Sequence, residues 1–145
     1  MKHRLGSEIL EEPLTAEELD QLRAADTGLS HTLGIVLTYV ARDRVEGYVE
    51  IGPQHHQPMG LTNGGLYCSV GETLGSMAAV AASGAPAVGM SNCTDFLRGV
   101  SQGRLNAVAK PVHLGSTTHL WRIEMKAEGN LVATTNLKLM ILKPR

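Results

Sequence analysis

The sequence QPMGLTNGGLYCSVGETLGSMAAVAAS occupies residues 57–83 and sets the architecture expected for the rest of the chain. After Gly64 and Gly65 it is almost entirely small or apolar, with no Lys or Arg and with Glu72 as its one acidic residue. A helix that is apolar on every side is a buried helix, and at about 1.5 Å per residue this one would run close to 30 Å. The segment is too polar and too rich in glycine for a membrane span. We therefore predict a long helix enclosed by the rest of the protein, with Glu72 inside it.

Strand patterns surround this helix in the chain. A capping box at 15–18 predicts a short N-terminal helix over 16–25, whereas residues 1–14 show no period and are expected to be loosely held. The predicted strands occupy 34–41, 44–51, 87–97, 104–114, 117–126 and 131–141. Successive hairpins make an antiparallel sheet. We therefore predict an α+β fold in one domain over 1–145, with a curved sheet of about six strands around one long central helix.

The composition excludes several classes of protein. A net charge of −1 and a pI near 6.6 argue against a nucleic-acid binder, and aromatic residues, at 3%, are too few for base-stacking platforms. The basic N-terminus has no apolar segment behind it, so no secretory signal is expected and the protein is predicted to be cytoplasmic, without a membrane partner. Cys68 and Cys93 lack CxxC spacing; reduced, buried thiols are expected, and one disulfide between them is the alternative.

Common cofactor and nucleophile motifs are missing from the sequence. It contains no GxGxxG, Walker loop, GxSxG or HExxH pattern. His55 and His56 are adjacent but have no partner at metal-ligand spacing, so neither a metal site nor a cofactor is expected. His56 is interpreted as a solvated loop residue, and the role of His55 is left open.

Glu72 is the only charged group expected inside the long helix. Ser69 and Ser76 lie three residues before and four after it, so the three polar residues form a stripe on an apolar rod. An unpaired carboxylate inside a protein costs several kcal/mol. One interpretation is an ion pair with Arg98 or Arg122, or emergence at a subunit surface. The other is a catalytic carboxylate, and the periodicity leaves both open.

Asn63-Gly64-Gly65 stands at the predicted start of the helix. The first N–H groups of a helix have no acceptor within it, and glycines leave them open to an oxyanion or a polarised carbonyl. A carboxylate two turns further along could reach the same carbonyl, and a donor plus a carboxylate suffice for acyl transfer. The alternative for the two glycines is close packing of the loop on the sheet.

Several separated motifs together resemble one known family. QPMG (57–60), NGG (63–65) and ETLGS (72–76) resemble the QPxG…HGG…(A/G)E(S/T)xGS pattern of hotdog-fold acyl-CoA thioesterases. The most similar branch is the glutamate-dependent 4-hydroxybenzoyl-CoA thioesterase type, which is related to the phenylacetate-pathway thioesterases. KPVHLGS (110–116) and WRIE (121–124) resemble its KPxHxGS…WxIEI segment. The resemblance runs from about residue 30 to residue 142 and implies the hotdog fold and the hydrolysis of an acyl-CoA thioester.

The resemblance also implies a role for each matching residue. Glu72 would be the nucleophile or the general base, and the Gly64 N–H would polarise the thioester carbonyl. Gln57 would lie beside that carbonyl or position the water, and Ser76 would help hold the water or the acyl group. The substrate and coenzyme A contacts that we expect are Gly65, Tyr67, Met90, Phe96, Arg98, His113, Gly115, Ser116 and Thr117.

Assembly follows from the same resemblance. In this family the active site is built across a homodimer, and dimers pair into tetramers, so Glu72 would act on a substrate held partly by the other subunit. The expected acyl pocket lies along the apolar face of the helix and the next strand, and it is lined by Tyr67, Leu74, Met77, Met90 and Phe96. The acyl group itself is left open.

Asn63 is the one departure from the family pattern, which usually has His at this position. An Asn side chain can donate and accept a hydrogen bond, but it cannot become a cation or carry a proton. A non-catalytic acyl-CoA-binding or sensor protein of the same fold is therefore the alternative function. A hotdog hydratase would need a His–acid pair on the helix or its loop, and the helix has no His.

Overall fold

The structure is a computed structural model that describes residues 3–143. Its elements are α1 Ala16–Ala25, α2 Leu29–Leu33, β1 Val36–Ala41, β2 Arg44–Ile51, a 3-10 turn Pro53–His55, α3 Gly64–Ser83, β3 Ala87–Phe96, β4 Gly103–Leu114, β5 Thr118–Ala127 and β6 Asn130–Ile141. Both predicted helices have the predicted ends, and the strands differ from prediction by one or two residues at most. The sequence missed α2, which is too short to show a helical period.

The six strands form one antiparallel sheet in the order β1-β2-β4-β5-β6-β3. Hairpins connect β1 to β2, β4 to β5 and β5 to β6, whereas α3 carries the chain across to place β3 at the far edge. Irregularities in four of the strand pairs, such as the one between Gly89 and Ser91, accompany the curvature. A curved sheet around one long helix is the hotdog architecture, and this prediction is confirmed.

Glycines allow α3 to lie close against the sheet. The helix begins at the Asn63 N-cap and ends at Gly84, whose φ of 68° belongs to the left-handed region that favours glycine. A Cβ on Gly75 would lie 2.5 Å from Leu137 Cδ2, and a Cβ on Gly71 would overlap the buried Thr135 side chain. The sequence therefore places glycine where the helix meets β6.

Replacing Gly71 with Ala is expected to destabilise the protein by about 1–3 kcal/mol, because the added methyl group has to displace either Thr135 or the helix. Urea unfolding measures this change. Gly65→Ala is the matched control on the same helix. Gly65 is exposed, and the neighbour nearest to its added Cβ is the Asn63 Oδ1 at 3.1 Å, not a residue of the sheet. A Gly71→Ala protein as stable as the control would contradict the packing argument.

One flank of α3 is not enclosed, and here the sequence prediction is wrong. Buried pairs of residues alternate along the helix with half-buried pairs, and the second set includes Cys68, Ser69, Glu72, Thr73 and Ser76. The sheet covers only the side that carries Leu74 and its buried neighbours. Small and apolar residues on the other flank hid this asymmetry, because their hydrophobicity matches that of a core helix.

The N-terminal segment packs onto the core although the sequence showed no period there. Leu10 is 0% exposed, its N–H donates to the Ala81 carbonyl at 2.9 Å, and its carbonyl accepts from the Arg42 N–H at 3.0 Å. Arg4 binds Glu18 through two hydrogen bonds of 2.7 and 2.6 Å. Residues 3–14 are thus tied to α1, α3 and β1, whereas residues 1–2 lie outside the described range.

Acid is expected to weaken this attachment. The Arg4 hydrogen bond, with help from the Thr15 N–H, lowers the pKa of Glu18 from its usual 4.5 to about 2. A pKa lowered by folding adds stability above the ordinary pKa, and that stability disappears as the pH falls through the folded value. The stability difference between wild type and Arg4→Gln should therefore have its full value above about pH 5 and shrink toward pH 2. Thermal unfolding across this pH range tests it, and a constant difference would contradict it.

The two cysteines are not the buried thiols that the sequence predicts. Both are free; Cys68 is half-buried on α3 and Cys93 is exposed on β3. Cys93 pairs in register with the exposed Asn136, which puts it on the outer face of the sheet, away from α3. The sheet therefore separates the two thiols and prevents a disulfide within one chain.

Candidate active site

Glu72 lies on the open flank of α3, in a cleft of about 530 Å³. The cleft is lined by Leu29, Ser30, Cys68, Ser69, Glu72, Thr73 and Asn92, so α2 and β3 supply its walls. Within residues 3–143 Glu72 forms no ion pair; Arg122 lies 3.8 Å from Glu124, and Arg98 lines a different cleft. The structure therefore does not support the ion-pair interpretation.

β3 shapes the space around the carboxylate. A Cβ on Gly89 would lie 2.5 Å from Glu72 Oε1, so a larger residue there would push the carboxylate away. Asn92 donates from Nδ2 to the Cys68 carbonyl at 3.0 Å and ties the strand to the helix. Ser69 donates to the Gly65 carbonyl of its own helix at 2.9 Å. The sequence missed Gly89 and Asn92 because nothing local in a strand pattern shows which helix residue it will face.

The first turn of α3 leaves one N–H group open. Asn63 caps the helix: its Oδ1 accepts from the Gly65 N–H at 2.7 Å. The Gly64 N–H has no acceptor within residues 3–143. Asn63 therefore positions the turn through the bond that makes it a good N-cap, a role that needs no charge.

A second cleft, of about 360 Å³, lies at this end of the helix. It is lined by Gln57, Leu61, Thr62, Gly64, Tyr67, Phe96, Leu97, Arg98 and Gly99. The Phe96 ring occupies the space that a Cβ on Gly64 would need, and the ring centroids of Tyr67 and Phe96 are 5.8 Å apart. Gln57 accepts the Met59 N–H through Oε1, which fixes its side chain. Gly64 therefore packs closely against the Phe96 ring and also carries an N–H without an acceptor in the described residues, so both interpretations of this glycine hold.

Glu72 and Gly64 do not meet within one protomer. They lie roughly 12 Å apart along the helix axis and line separate clefts. The expectation that a carboxylate two turns along could reach the carbonyl bound at Gly64 is therefore wrong for a single chain. β3 connects the two clefts, since Asn92 lines the first and Phe96 the second.

Of the residues expected to contact the substrate or coenzyme A, Tyr67, Phe96 and Arg98 line the second cleft, whereas the others line neither cleft. His113, Gly115, Ser116 and Thr117 lie at or beside the corner between β4 and β5, where the Gly115 N–H donates to the Thr118 carbonyl at 2.9 Å. Met90 lies on the exposed edge of β3 and lines neither cleft. One protomer does not bring these residues to Glu72.

A buried histidine lies behind that corner. Trp121 donates from Nε1 to His119 Nδ1 at 3.2 Å. Burial, with the charge of His113 as the second cause, lowers the pKa of His119, so this side chain stays neutral near neutral pH.

The expected acyl pocket is only partly correct. Leu74 is 0% exposed and faces the sheet, so it belongs to the core and not to a pocket. Met77 lines a cavity of about 210 Å³ between α1, α2, β1 and α3, which shares Ser30 and Thr73 with the Glu72 cleft. Tyr67 and Phe96 instead line the cleft at Gly64.

The open question about His55 is answered by its contacts. His55 is 3% exposed; its Nδ1 accepts from the Gly52 N–H at 3.1 Å, and its Nε2 contacts the Leu33 carbonyl at 2.7 Å. His56 is half-buried and bonded to the Ser101 carbonyl, not free in solvent. No three potential metal ligands cluster among residues 3–143.

Comparison with known proteins agrees with this geometry. Residues 59–134, which include α3, most of the second cleft, strands β3 to β5 and the beginning of β6, match the thioesterase superfamily. The chain belongs to the thioesterase superfamily. This thioesterase is 36% identical over 128 residues to the proofreading thioesterase EntH of Cronobacter sakazakii, covering 86% of this chain and 93% of EntH.

Solved structures give the same result for the fold. The thioesterase HI1161 of Haemophilus influenzae superposes with a TM-score of 0.82 at 28% identity, covering 93% of this chain and 95% of that one. A mutant of the thioesterase PA1618 of Pseudomonas aeruginosa superposes with a TM-score of 0.82 at 27% identity, covering 92% and 98%. Our chain is thus a thioester hydrolase. No helix in residues 3–143 is long and apolar enough to cross a membrane.

Proposed function

We propose that this thioesterase hydrolyses acyl-CoA thioesters to the free acid and coenzyme A, with Glu72 as nucleophile or general base. The observation that carries this proposal is the position of Glu72: its carboxylate stands in an open cleft, with no cation paired to it in the described part of the chain. A carboxylate left unpaired beside a cleft is available for chemistry. Coenzyme A is part of the substrate, and the reaction requires no further cofactor.

The complete site would be shared by two subunits. Each protomer holds Glu72 in one cleft and the Gly64 N–H in the other, and β3 borders both. Within residues 3–143 β3 pairs only with β6, so its outer edge is open, and its residues are almost all exposed. An open edge strand is a template for a second strand. Antiparallel pairing of β3 with β3 of the partner would bring the Asn92 region of one copy beside the Phe96 region of the other.

In this arrangement Glu72 of one subunit acts on a carbonyl bound at Gly64 of its partner. The Gly64 N–H and the positive end of α3 stabilise the negative charge that develops on the carbonyl oxygen. Glu72 attacks the carbonyl carbon or takes a proton from the attacking water. The C–S bond then breaks, and coenzyme A leaves as a thiolate. Where Glu72 has attacked, water then hydrolyses the resulting anhydride to the free acid and regenerates the carboxylate. Gln57 lies beside the bound carbonyl, and Ser76, on the flank of Glu72, helps hold the water or the acyl group.

The remaining residues belong to binding and assembly. We expect two groups of residues to face coenzyme A in the assembled protein. One is Arg98, which lines the Gly64 cleft, and the other is the corner formed by His113, Gly115, Ser116 and Thr117. Met90 lies on the β3 edge that the partner would cover. Dimers would pair further into tetramers, and the cytoplasmic location stays a prediction.

A screen of aryl-, short-chain and long-chain acyl-CoAs, with a thiol-reactive dye to detect released coenzyme A, tests the proposed function. We expect hydrolysis of at least one class and its loss in Glu72→Gln. An acyl-CoA that binds to the wild type but releases no thiol would favour the alternative function, a non-catalytic binding protein. That alternative was suggested by Asn63, which stands where the family usually has His. Light scattering of the same preparation measures the number of subunits.

A further inference from the structure

Tyr67 carries a buried hydroxyl group that has no hydrogen-bond partner. The residue is only 3% exposed, and its hydroxyl oxygen is enclosed with no donor or acceptor in the described part of the chain. Thr62 lies nearby, but its Oγ1, which donates to the Val100 carbonyl at 2.6 Å, forms no hydrogen bond with the Tyr67 hydroxyl. A buried polar group without a partner costs about 1–3 kcal/mol, and native proteins rarely keep one without a reason.

The helical geometry directs this side chain toward the end of α3 that carries the open Gly64 N–H. Tyr67 is three residues after Gly64, and side chains three apart share one face of a helix. Helical side chains also lean toward the N-terminus, which directs the Tyr67 ring over the first turn. Tyr67 and Gly64 line the same cleft, together with Gln57 and Arg98. Burial raises the pKa of Tyr67 and outweighs an opposite effect from Thr62, so the hydroxyl keeps its proton and can donate it to a hydrogen bond.

Phe96 controls access to this group. Its ring packs against Gly64 and lies 5.8 Å from the Tyr67 ring, centroid to centroid. Within one protomer Phe96 is also 57% exposed and lies on the edge strand, so the protomer packs against only one side of the ring. Rotation of such a side chain is fast, on the ps–ns timescale, and would open both the N–H and the hydroxyl to a ligand.

We propose that the Tyr67 hydroxyl is the second hydrogen-bond donor to the thioester carbonyl oxygen, acting beside the Gly64 N–H. This inference rests on the proposed function, because the carbonyl belongs to the acyl-CoA substrate. The motif comparison implies only the Gly64 N–H as a donor and assigns no such role to Tyr67. If both groups donate to the same carbonyl oxygen, this explains why an unpaired hydroxyl and an unpaired N–H occur together at the start of α3.

Tyr67→Phe tests the proposal, since it removes the hydroxyl and keeps the ring. We expect kcat to fall on the order of 10- to 100-fold with a smaller rise in KM, because the donor already binds the carbonyl of the substrate and binds it more strongly as charge develops on the oxygen. The melting temperature should stay the same or rise, because the free enzyme loses an unpaired buried group. Tyr48→Phe is the matched control: Tyr48 lies on β2, where it stacks on Arg104 at 3.8 Å. Activity of Tyr67→Phe within twofold of wild type, or a loss of kcat that merely follows a large drop in melting temperature, would overturn the proposal.

A binding experiment separates this inference from the proposed function. A coenzyme A thioether that carries a 2-oxoalkyl group keeps a carbonyl but cannot be hydrolysed, and the corresponding S-alkyl thioether lacks the carbonyl. Calorimetry should show that wild type and Tyr48→Phe prefer the ketone and that Tyr67→Phe loses most of this preference. Equal preference in all three proteins refutes the donor role, whether or not the enzyme hydrolyses any acyl-CoA. Ketone preference without hydrolysis would contradict the proposed function and support the role of Tyr67.

Discussion

Replacing Glu72 with Gln is expected to lower kcat for acyl-CoA hydrolysis by roughly 10²–10⁴-fold, the usual contribution of a catalytic acid or base. Gln has nearly the same shape as Glu, so the packing against Gly89 is kept, but a neutral amide can neither attack the thioester nor take a proton from water. KM should change little, because the carboxylate acts on the transition state. Steady-state kinetics with a thiol-reactive dye measures both parameters.

Glu124→Gln is the control for this result. Glu124 is a half-exposed carboxylate on β5, 3.8 Å from Arg122. Glu124 does not line the Glu72 cleft, so Glu124→Gln should keep wild-type activity. Both variants should unfold at the wild-type temperature. If Glu72→Gln retains more than half of the wild-type kcat, Glu72 is not the catalytic group.

Replacing Gly64 with Pro is expected to lower kcat by about 10²–10³-fold, the usual cost of losing an oxyanion donor. Proline has no N–H, and it fits the first position of a helix, where that N–H has no acceptor in the helix. The preceding residue, Asn63, has an extended conformation with ψ of 135°, which a following proline tolerates. Gly64→Ala is the matched control, because it adds a Cβ against the Phe96 ring but keeps the N–H. If both variants lose the same activity, crowding and not the donor is responsible.

The two variants together test the shared site. If Glu72 of one subunit acts on a carbonyl bound at Gly64 of the other, a mixed dimer of Glu72→Gln and Gly64→Pro contains one intact site. Random mixing in a twofold dimer should restore roughly a quarter of the wild-type activity. Coexpression of the two variants with different affinity tags allows the mixed dimer to be purified, and this dimer should show roughly half of the wild-type activity, because one of its two sites is intact. A mixture as inactive as its components would place both groups in one chain, contrary to their roughly 12 Å separation along α3.

Local patterns predicted the elements well because their causes are local. The capping box at Thr15 places the start of α1, and Asn63 and Gly84 delimit α3. Along β5 and β6 side chains are buried at the strand period, for example Trp121, Ile123 and Leu137. These signals depend only on the periods of helix and strand, which a single sequence contains.

The candidate site depended on contacts that no period reveals. Asn63 drew attention as a missing His, whereas the structure shows it as the N-cap that occupies the Gly65 N–H. Gly89 read as an ordinary strand residue, yet it makes room for the Glu72 carboxylate. Leu74 was expected in a pocket because it is apolar, but hydrophobicity does not tell a core face from a binding face.

By itself, then, the sequence determined the order and ends of the elements, the presence of one acid in an apolar helix, and the family motifs around it. Spacing along the chain carries that information. Only the tertiary structure decided that one flank of α3 is open, that Glu72 and Gly64 occupy separate clefts, and that the edge of β3 borders both. The physical reason is that burial and access depend on which elements pack together, and the sheet order places β3, distant in sequence from the loop at Gln57, beside that loop and the helix.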